Sequence, residues 1–102
     1  MKKWQLCVGL LDKDSKKQEV TTIDAYKIAE NVFTVYTGGA TITEGRGIYT
    51  HDDGTIVSEP TLVCMVYGAE RGNIEQCADV LKAVLNQESI AIEYSEVNSY
   101  FY

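Results

Sequence analysis

The run Leu62-Val63-Cys64-Met65-Val66-Tyr67 is apolar without a break. Side chains alternate between the two faces of a strand, so such a strand needs cover on both sides and belongs in the middle of a sheet. It is too short for an ordinary helix and far below the ~20 residues that span a bilayer. The rest of the chain must supply a strand on each edge and cover for both faces, and the whole sequence has 102 residues. That length is one domain, residues 1–102, built around one core.

The neighbours are legible by their period. Residues Lys3 to Leu11 set Trp4, Leu6, Val8 and Leu10 against Gln5, Cys7 and Gly9, an alternation that predicts a strand. Asp12 to Gln18 is polar throughout and reads as a mobile loop. Thr21 or Thr22 caps a helix whose Ala25, Ala29, Val32, Phe33 and Tyr36 recur at helical spacing, with Asp24 in its first turn and Gly38-Gly39 ending it. Ala40 to Tyr49 and the run from Thr55 form a hairpin about the turn Asp52-Asp53-Gly54. Gly45 and Gly47 around Arg46 predict a bulge or a close backbone approach, and Pro60 predicts an unpaired or bulged end of the second arm. Asn73 and Gln76 resemble a capping box at the start of a second helix with the stripe Ile74, Cys77, Ala78, Leu81, Val84 and Leu85, which ends near Asn86. Ser89 to Val97 alternates again and gives the last strand, followed by the aromatic tail Tyr100-Phe101-Tyr102.

Strand, helix, strand, strand, helix, strand is the split βαβ order of a ferredoxin-like α+β sandwich. Right-handed crossovers place the first and third strands centrally, with both helices on one face. The doubly apolar strand thus falls where this topology needs one. Its second face is left open, and a second copy of the chain, a long hairpin or the aromatic tail has to cover it. A homo-oligomer formed through the open sheet face is the simpler solution.

Charge narrows the partners. A net charge of -6 repels nucleic acid and anionic membranes, so neither is expected as a partner. The N-terminus runs from Met1-Lys2-Lys3 into mixed sequence with no signal-peptide core, which predicts a cytoplasmic protein. Cys7, Cys64 and Cys77 are odd in number, widely spaced and set among apolar residues, which argues for buried reduced thiols rather than disulfides or a zinc site. His51 is the sole histidine, so two-histidine metal motifs are excluded. Asp52 and Asp53 beside it are first a turn signal. No metal and no cofactor are expected.

The stretch from Ala40 through Ser89 resembles a family of small bacterial and phage proteins of unknown function. The resemblance rests on Gly-Arg-Gly-Ile-Tyr at 45–49, Asp53-Gly54-Thr55-Ile56-Val57, Glu59-Pro60-Thr61 before the apolar strand, and Gln87-Glu88-Ser89 entering the last strand. It departs at Pro60 and in the first strand, and it implies a ferredoxin-like fold without an activity. Thr41-Ile42-Thr43-Glu44-Gly45-Arg46-Gly47 is similar to a strand of the nitrogen-regulatory PII signalling proteins, trimers that bind adenine nucleotides between subunits. Here their long regulatory loop is replaced by Asp52-Asp53-Gly54, and their later basic phosphate-binding residues are missing.

Glu44, Arg46, Tyr49, His51 and Glu59 gather on and around the hairpin and are the expected ligand-binding residues. Glu44 and Arg46 are two apart on a strand and share a face, where the guanidinium meets an anionic ligand or a carboxylate. Lys16, Lys17 and Arg71 are the other cations that could reach a phosphate, and they read first as solvated loop charge. No catalytic residue is assigned. The expected function is that of a non-enzymatic binding protein, phage or prophage encoded, with a small anionic ligand at the subunit boundary. The example taken is a counter-defence protein that sequesters a nucleotide-derived signal. The alternatives are an acidic inhibitor of a host protein and a small enzyme of the dimeric α+β barrel kind.

Overall fold

A computed structural model of the chain describes every residue except His51. The elements run β1 (Lys2–Gly9), α1 (Thr22–Thr37), β2 (Thr41–Thr50), β3 (Ile56–Tyr67), α2 (Arg71–Val84) and β4 (Ala91–Glu96). They form one antiparallel sheet in the order β2-β3-β1-β4, so the two central strands are β1 and β3. This is the ferredoxin-like α+β arrangement that the element order predicts.

Residues opposite one another across a ladder share a face, and the registers sort the sheet into two sides. Trp4, Leu6 and Val8 stand opposite Val66, Cys64 and Leu62, and all six are buried. They meet Ala25, Ala29, Val32 and Phe33 of α1 and Ile74, Cys77, Ala78 and Leu81 of α2 in a single core. Fully burying each of Leu6, Phe33, Leu62, Ile74 and Leu81 contributes about 1.5–3 kcal/mol. The other side of the sheet carries Gln5, Cys7 and Gly9 of β1 opposite Met65, Val63 and Thr61 of β3, all of them only partly buried. Among the described residues no helix lies on it. The tail meets this side at the end of β3, where Phe101 stands edge-on to Tyr67 at 6.4 Å and is itself 80% exposed.

Local chemistry fixes the ends of α1. Thr21 Oγ1 accepts the Asp24 amide at 3.2 Å, and Gly38 closes the helix at φ 82°, a conformation that favours glycine. The second helix starts differently from expectation. Glu70 is its cap residue and makes no side-chain cap bond, while Asn73 lies inside the helix and donates from Nδ2 to the Tyr36 carbonyl at 2.7 Å. Asn73 therefore ties α2 to α1 instead of capping its own helix.

One further expectation is narrowed and two are corrected. The hairpin register is regular from Thr41↔Met65 to Thr50↔Ile56, so the glycines of β2 mark a close approach and no bulge. Pro60 sits inside continuous β3, paired with Arg46, and its carbonyl accepts the Leu10 amide at 3.0 Å. A residue's nitrogen and carbonyl face the same neighbour, so the missing N–H falls where β1 ends and leaves the ladder to β2 intact. The polar segment after β1 is pinned: Asp12 Oδ1 accepts the amides of Asp14 and Ser15 at 2.9 Å, and Asn86 Nδ2 donates to Asp12 Oδ2 and to Asp14 Oδ2 at 2.8 Å. These bonds hold the loop against the end of α2.

Candidate active site

The hairpin outruns the sheet. The ladder between β1 and β3 ends at Gly9↔Thr61, while β2 and β3 continue as a two-stranded ribbon to Thr50↔Ile56. Beyond the end of β1, the ribbon, the Asp12 loop and the entry to β4 enclose a groove of about 1050 Å³ on the open face. Its floor is bare backbone at two points. A methyl group on Gly9 would overlap the Glu59 carboxylate, and one on Gly47 would stand 2.8 Å from Thr61 Oγ1. Both glycines thus leave room for a polar side chain of the strand beside them.

Glu59 takes up that room. Its side chain leans over Gly9, and Oε2 accepts the Leu11 amide at 3.0 Å where β1 has run out of ladder partners. A backbone N–H bond holds a carboxylate in one orientation while leaving its second oxygen available for further contacts. Tyr49 is also on the open face, two residues along β2 from Gly47, and lines the same groove. Lys13, Lys16 and Glu88 line it from the loop and from the approach to β4.

The residues expected from sequence are therefore divided between two faces. Tyr49 and Glu59 share the groove. Glu44 and Arg46 stand opposite Leu62 and Pro60, on the side that bears the helices, and the Arg46 Nε donates to Ser58 Oγ at 3.0 Å. Strand parity separates the two pairs, because even-numbered and odd-numbered residues of β2 point to opposite sides. His51 lies outside the described residues. Asp53 serves the turn, its Oδ1 accepting the Thr55 amide at 2.8 Å. Among the described residues no group of three His, Cys, Asp or Glu side chains is placed to hold a metal ion. Of the remaining cations singled out, Lys16 reaches the groove, whereas Arg71 pairs with Glu75 on α2 at 2.7 Å.

Gly9, Thr61, Lys13 and Glu88 were not foreseen as site residues. A glycine closing an otherwise regular strand was the available signal at Gly9, and nothing local marks the other three.

A smaller cleft of about 420 Å³ lies on the helix-bearing face, between the start of α2 and β4. Trp4 donates from Nε1 to the Ala69 carbonyl at 2.8 Å there and packs against Tyr94 at 4.7 Å between ring centroids. The Tyr94 hydroxyl is raised above the usual tyrosine range by its hydrogen bond to Glu96, whose own carboxyl is lowered by the same bond. The bond favours the protonated phenol and the ionised carboxylate.

Fold and groove together define a ferredoxin-like α+β domain with a carboxylate-bearing groove at one end of its open sheet face. No protein-family model and no curated protein matches the sequence. Solved structures do match. A phage SAM lyase in complex with S-methyl-5'-thioadenosine is 22% identical with a TM-score of 0.72, over 93% of this chain and 80% of that one. A phage SAM lyase in the apo state is 19% identical with a TM-score of 0.67, over 99% of this chain and 91% of that one.

These neighbours correct the expectation of a non-enzymatic binding protein. Both of these structures, which share the fold over most of their length, are of an enzyme, so the small-enzyme alternative fits better. The neighbour's bound thioadenosine agrees with the expectation of a small ligand, although that ligand is an uncharged nucleoside thioether and not an anion. Among the described residues no helix is long and apolar enough to cross a membrane.

Proposed function

We propose that this chain is a lyase acting on S-adenosylmethionine, with its substrate in the groove around Glu59 and Tyr49. The observation that carries the reading is the Glu59 carboxylate, held by the Leu11 amide over Gly9 in a groove of about 1050 Å³, on a fold shared with SAM lyases. Small-ligand sites measure about 300–1,000 Å³, so the groove has room for a nucleoside with an amino-acid chain. The net charge of -6 also favours approach of a sulfonium cation.

A lyase breaks the carbon–sulfur bond with neither water nor a redox partner. The bond pair passes to the sulfonium sulfur, which becomes the neutral thioether of S-methyl-5'-thioadenosine. The four-carbon fragment then completes its valence in one of two ways: loss of a proton gives an alkene, and attack by its own carboxylate closes a ring. In the first route Glu59 takes the proton; in the second it orients the fragment through its ammonium.

The functional unit in this reading is a homo-oligomer joined through the open sheet face. The partly buried Val63 and Met65 on that face, which has no helix over it, support such an assembly. Light scattering tests it, and a monomer at micromolar concentration would reject it.

The activity is tested by incubating the protein with S-adenosylmethionine and following S-methyl-5'-thioadenosine by liquid chromatography and mass spectrometry. Proton NMR of the co-product separates alkene from ring. The expected result is stoichiometric thioadenosine and a loss of at least 100-fold in rate for Glu59→Gln. Unchanged substrate together with no binding of S-methyl-5'-thioadenosine would reject the reading.

A further inference from the structure

Resting on that reading, we infer that Lys13 and Lys16 recognise the carboxylate of the substrate's amino-acid end, and so distinguish a nucleoside that carries an amino acid from one that does not. Both residues line the groove that contains Glu59. They are held there by a loop that is unusually well fastened for so polar a sequence.

The fastening has four parts. The Asp12 amide donates to the Lys17 carbonyl at 2.8 Å, and the Lys16 amide donates back to the Asp12 carbonyl at 2.9 Å, which closes the loop on itself. The Asp12 carboxylate accepts from Asp14, Ser15 and Asn86. The Lys13 amide donates to the Asn86 carbonyl at 3.0 Å, which anchors the loop to the end of α2. Lys16 itself adopts φ 62°, a left-handed conformation uncommon for a side chain of this kind. Such conformations persist where their surroundings over-determine them.

Lys16 Nζ donates to the Lys13 carbonyl at 2.6 Å, which spends one of its three N–H groups beside the groove that the residue lines. Two further N–H groups remain for a ligand. In a chain with nine basic residues against fifteen acidic ones, two lysines on the wall of one groove require a local reason. S-adenosylmethionine carries no phosphate, and its single anionic group is the α-carboxylate. Leu11, whose amide holds Glu59, is two residues from Lys13, so the acidic and the basic parts of the groove lie close together. A zwitterionic amino-acid end fits such a mixed-sign wall. S-methyl-5'-thioadenosine has no such end and engages neither lysine.

The test compares two uncharged-sulfur ligands that differ only in this end, S-adenosylhomocysteine and S-methyl-5'-thioadenosine, by isothermal titration. Lys16→Ala and Lys13→Ala are each expected to weaken S-adenosylhomocysteine about tenfold and S-methyl-5'-thioadenosine less than twofold. Lys16→Arg, which keeps the charge, is expected to restore most of the loss. Raising salt from 50 to 300 mM should weaken S-adenosylhomocysteine alone in the wild-type protein. Equal effects on both ligands, or none on either, overturn the inference while leaving the proposed activity standing. A wild-type protein that binds neither ligand overturns both. Lys13→Gln, which leaves the backbone bonds of the loop untouched, repeats the measurement if Lys16→Ala unfolds the loop.

Discussion

The Glu59 carboxylate lies over Gly9, in space that any larger residue at position 9 would fill, with Oε2 3.0 Å from the Leu11 amide. The obstructed atoms are the far end of a flexible side chain, so a methyl group at position 9 displaces the carboxylate at little cost to the fold. Gly9→Ala is accordingly expected to melt within a few degrees of wild type and to lose at least tenfold in the rate of thioadenosine release. Gly72→Ala in α2, where a methyl group meets nothing within 4 Å, is the control. It should gain up to about 1 kcal/mol in stability by its better helix propensity and keep full activity. Thermal melts and product assays on the two variants check this pair.

Leu62 is fully buried in β3 between the helices and the centre of the sheet. Leu62→Ala leaves a cavity there and is expected to cost about 2–5 kcal/mol, a large share of the ~5–15 kcal/mol that a domain of this size possesses. Urea denaturation should show a lower midpoint with an unchanged slope.

The Asp12 carboxyl is lowered below the ordinary aspartate value by the backbone N–H of Ser15, and then by Asn86 and the Asp14 amide. A depressed folded-state value means that this contribution to loop order is present above the unfolded value of about 3.9 and is lost as pH falls through the lower folded one. The amide resonances of Asp14 and Ser15 should therefore hold their shifts from neutrality to about pH 4 and move only below it. Asp12→Ala should expose both amides to rapid hydrogen exchange at pH 7.

Burial pushes the Cys64 thiol up to about 12 and the Cys77 thiol up to about 11. The thiolate is the reactive form, so neither should be alkylated in the native protein at pH 8. Cys7 is only partly buried and lines the groove. Native labelling should therefore modify Cys7 alone, and S-methyl-5'-thioadenosine should slow that labelling at least fivefold. Mass spectrometry of tryptic peptides checks both statements.

Local sequence determined the elements, because each rests on a pattern only a few residues wide. The period-2 alternation of Trp4, Leu6 and Val8, the stripe Ile74-Cys77-Ala78-Leu81 and the Thr21 and Gly38 caps are all read within one turn or one pleat. The doubly apolar Leu62–Tyr67 run placed β3 in the centre, since only a central strand buries one face under helices and leaves apolar residues on the other. Errors of local reading occurred where a residue's partner is distant in sequence. Asn73 bonds to Tyr36 and not within its own helix, and Asp12 is held by Asn86.

The site was legible only in part for the same reason. Tyr49 and Glu59 were recognisable as polar groups on the hairpin, and parity along β2 already separates Tyr49 from Glu44 and Arg46, whereas the side of Glu59 follows only from its pairing with Gly47. That Glu59 settles over Gly9, and that the polar loop turns Lys13 and Lys16 into the same groove, depends on contacts across 48 to 76 residues of chain. The sequence by itself determined that this chain makes one sandwich with an open face. Only the tertiary structure decided which side chains meet on that face, because strand register and the docking of the loop against α2 are set by the packing of the whole sheet.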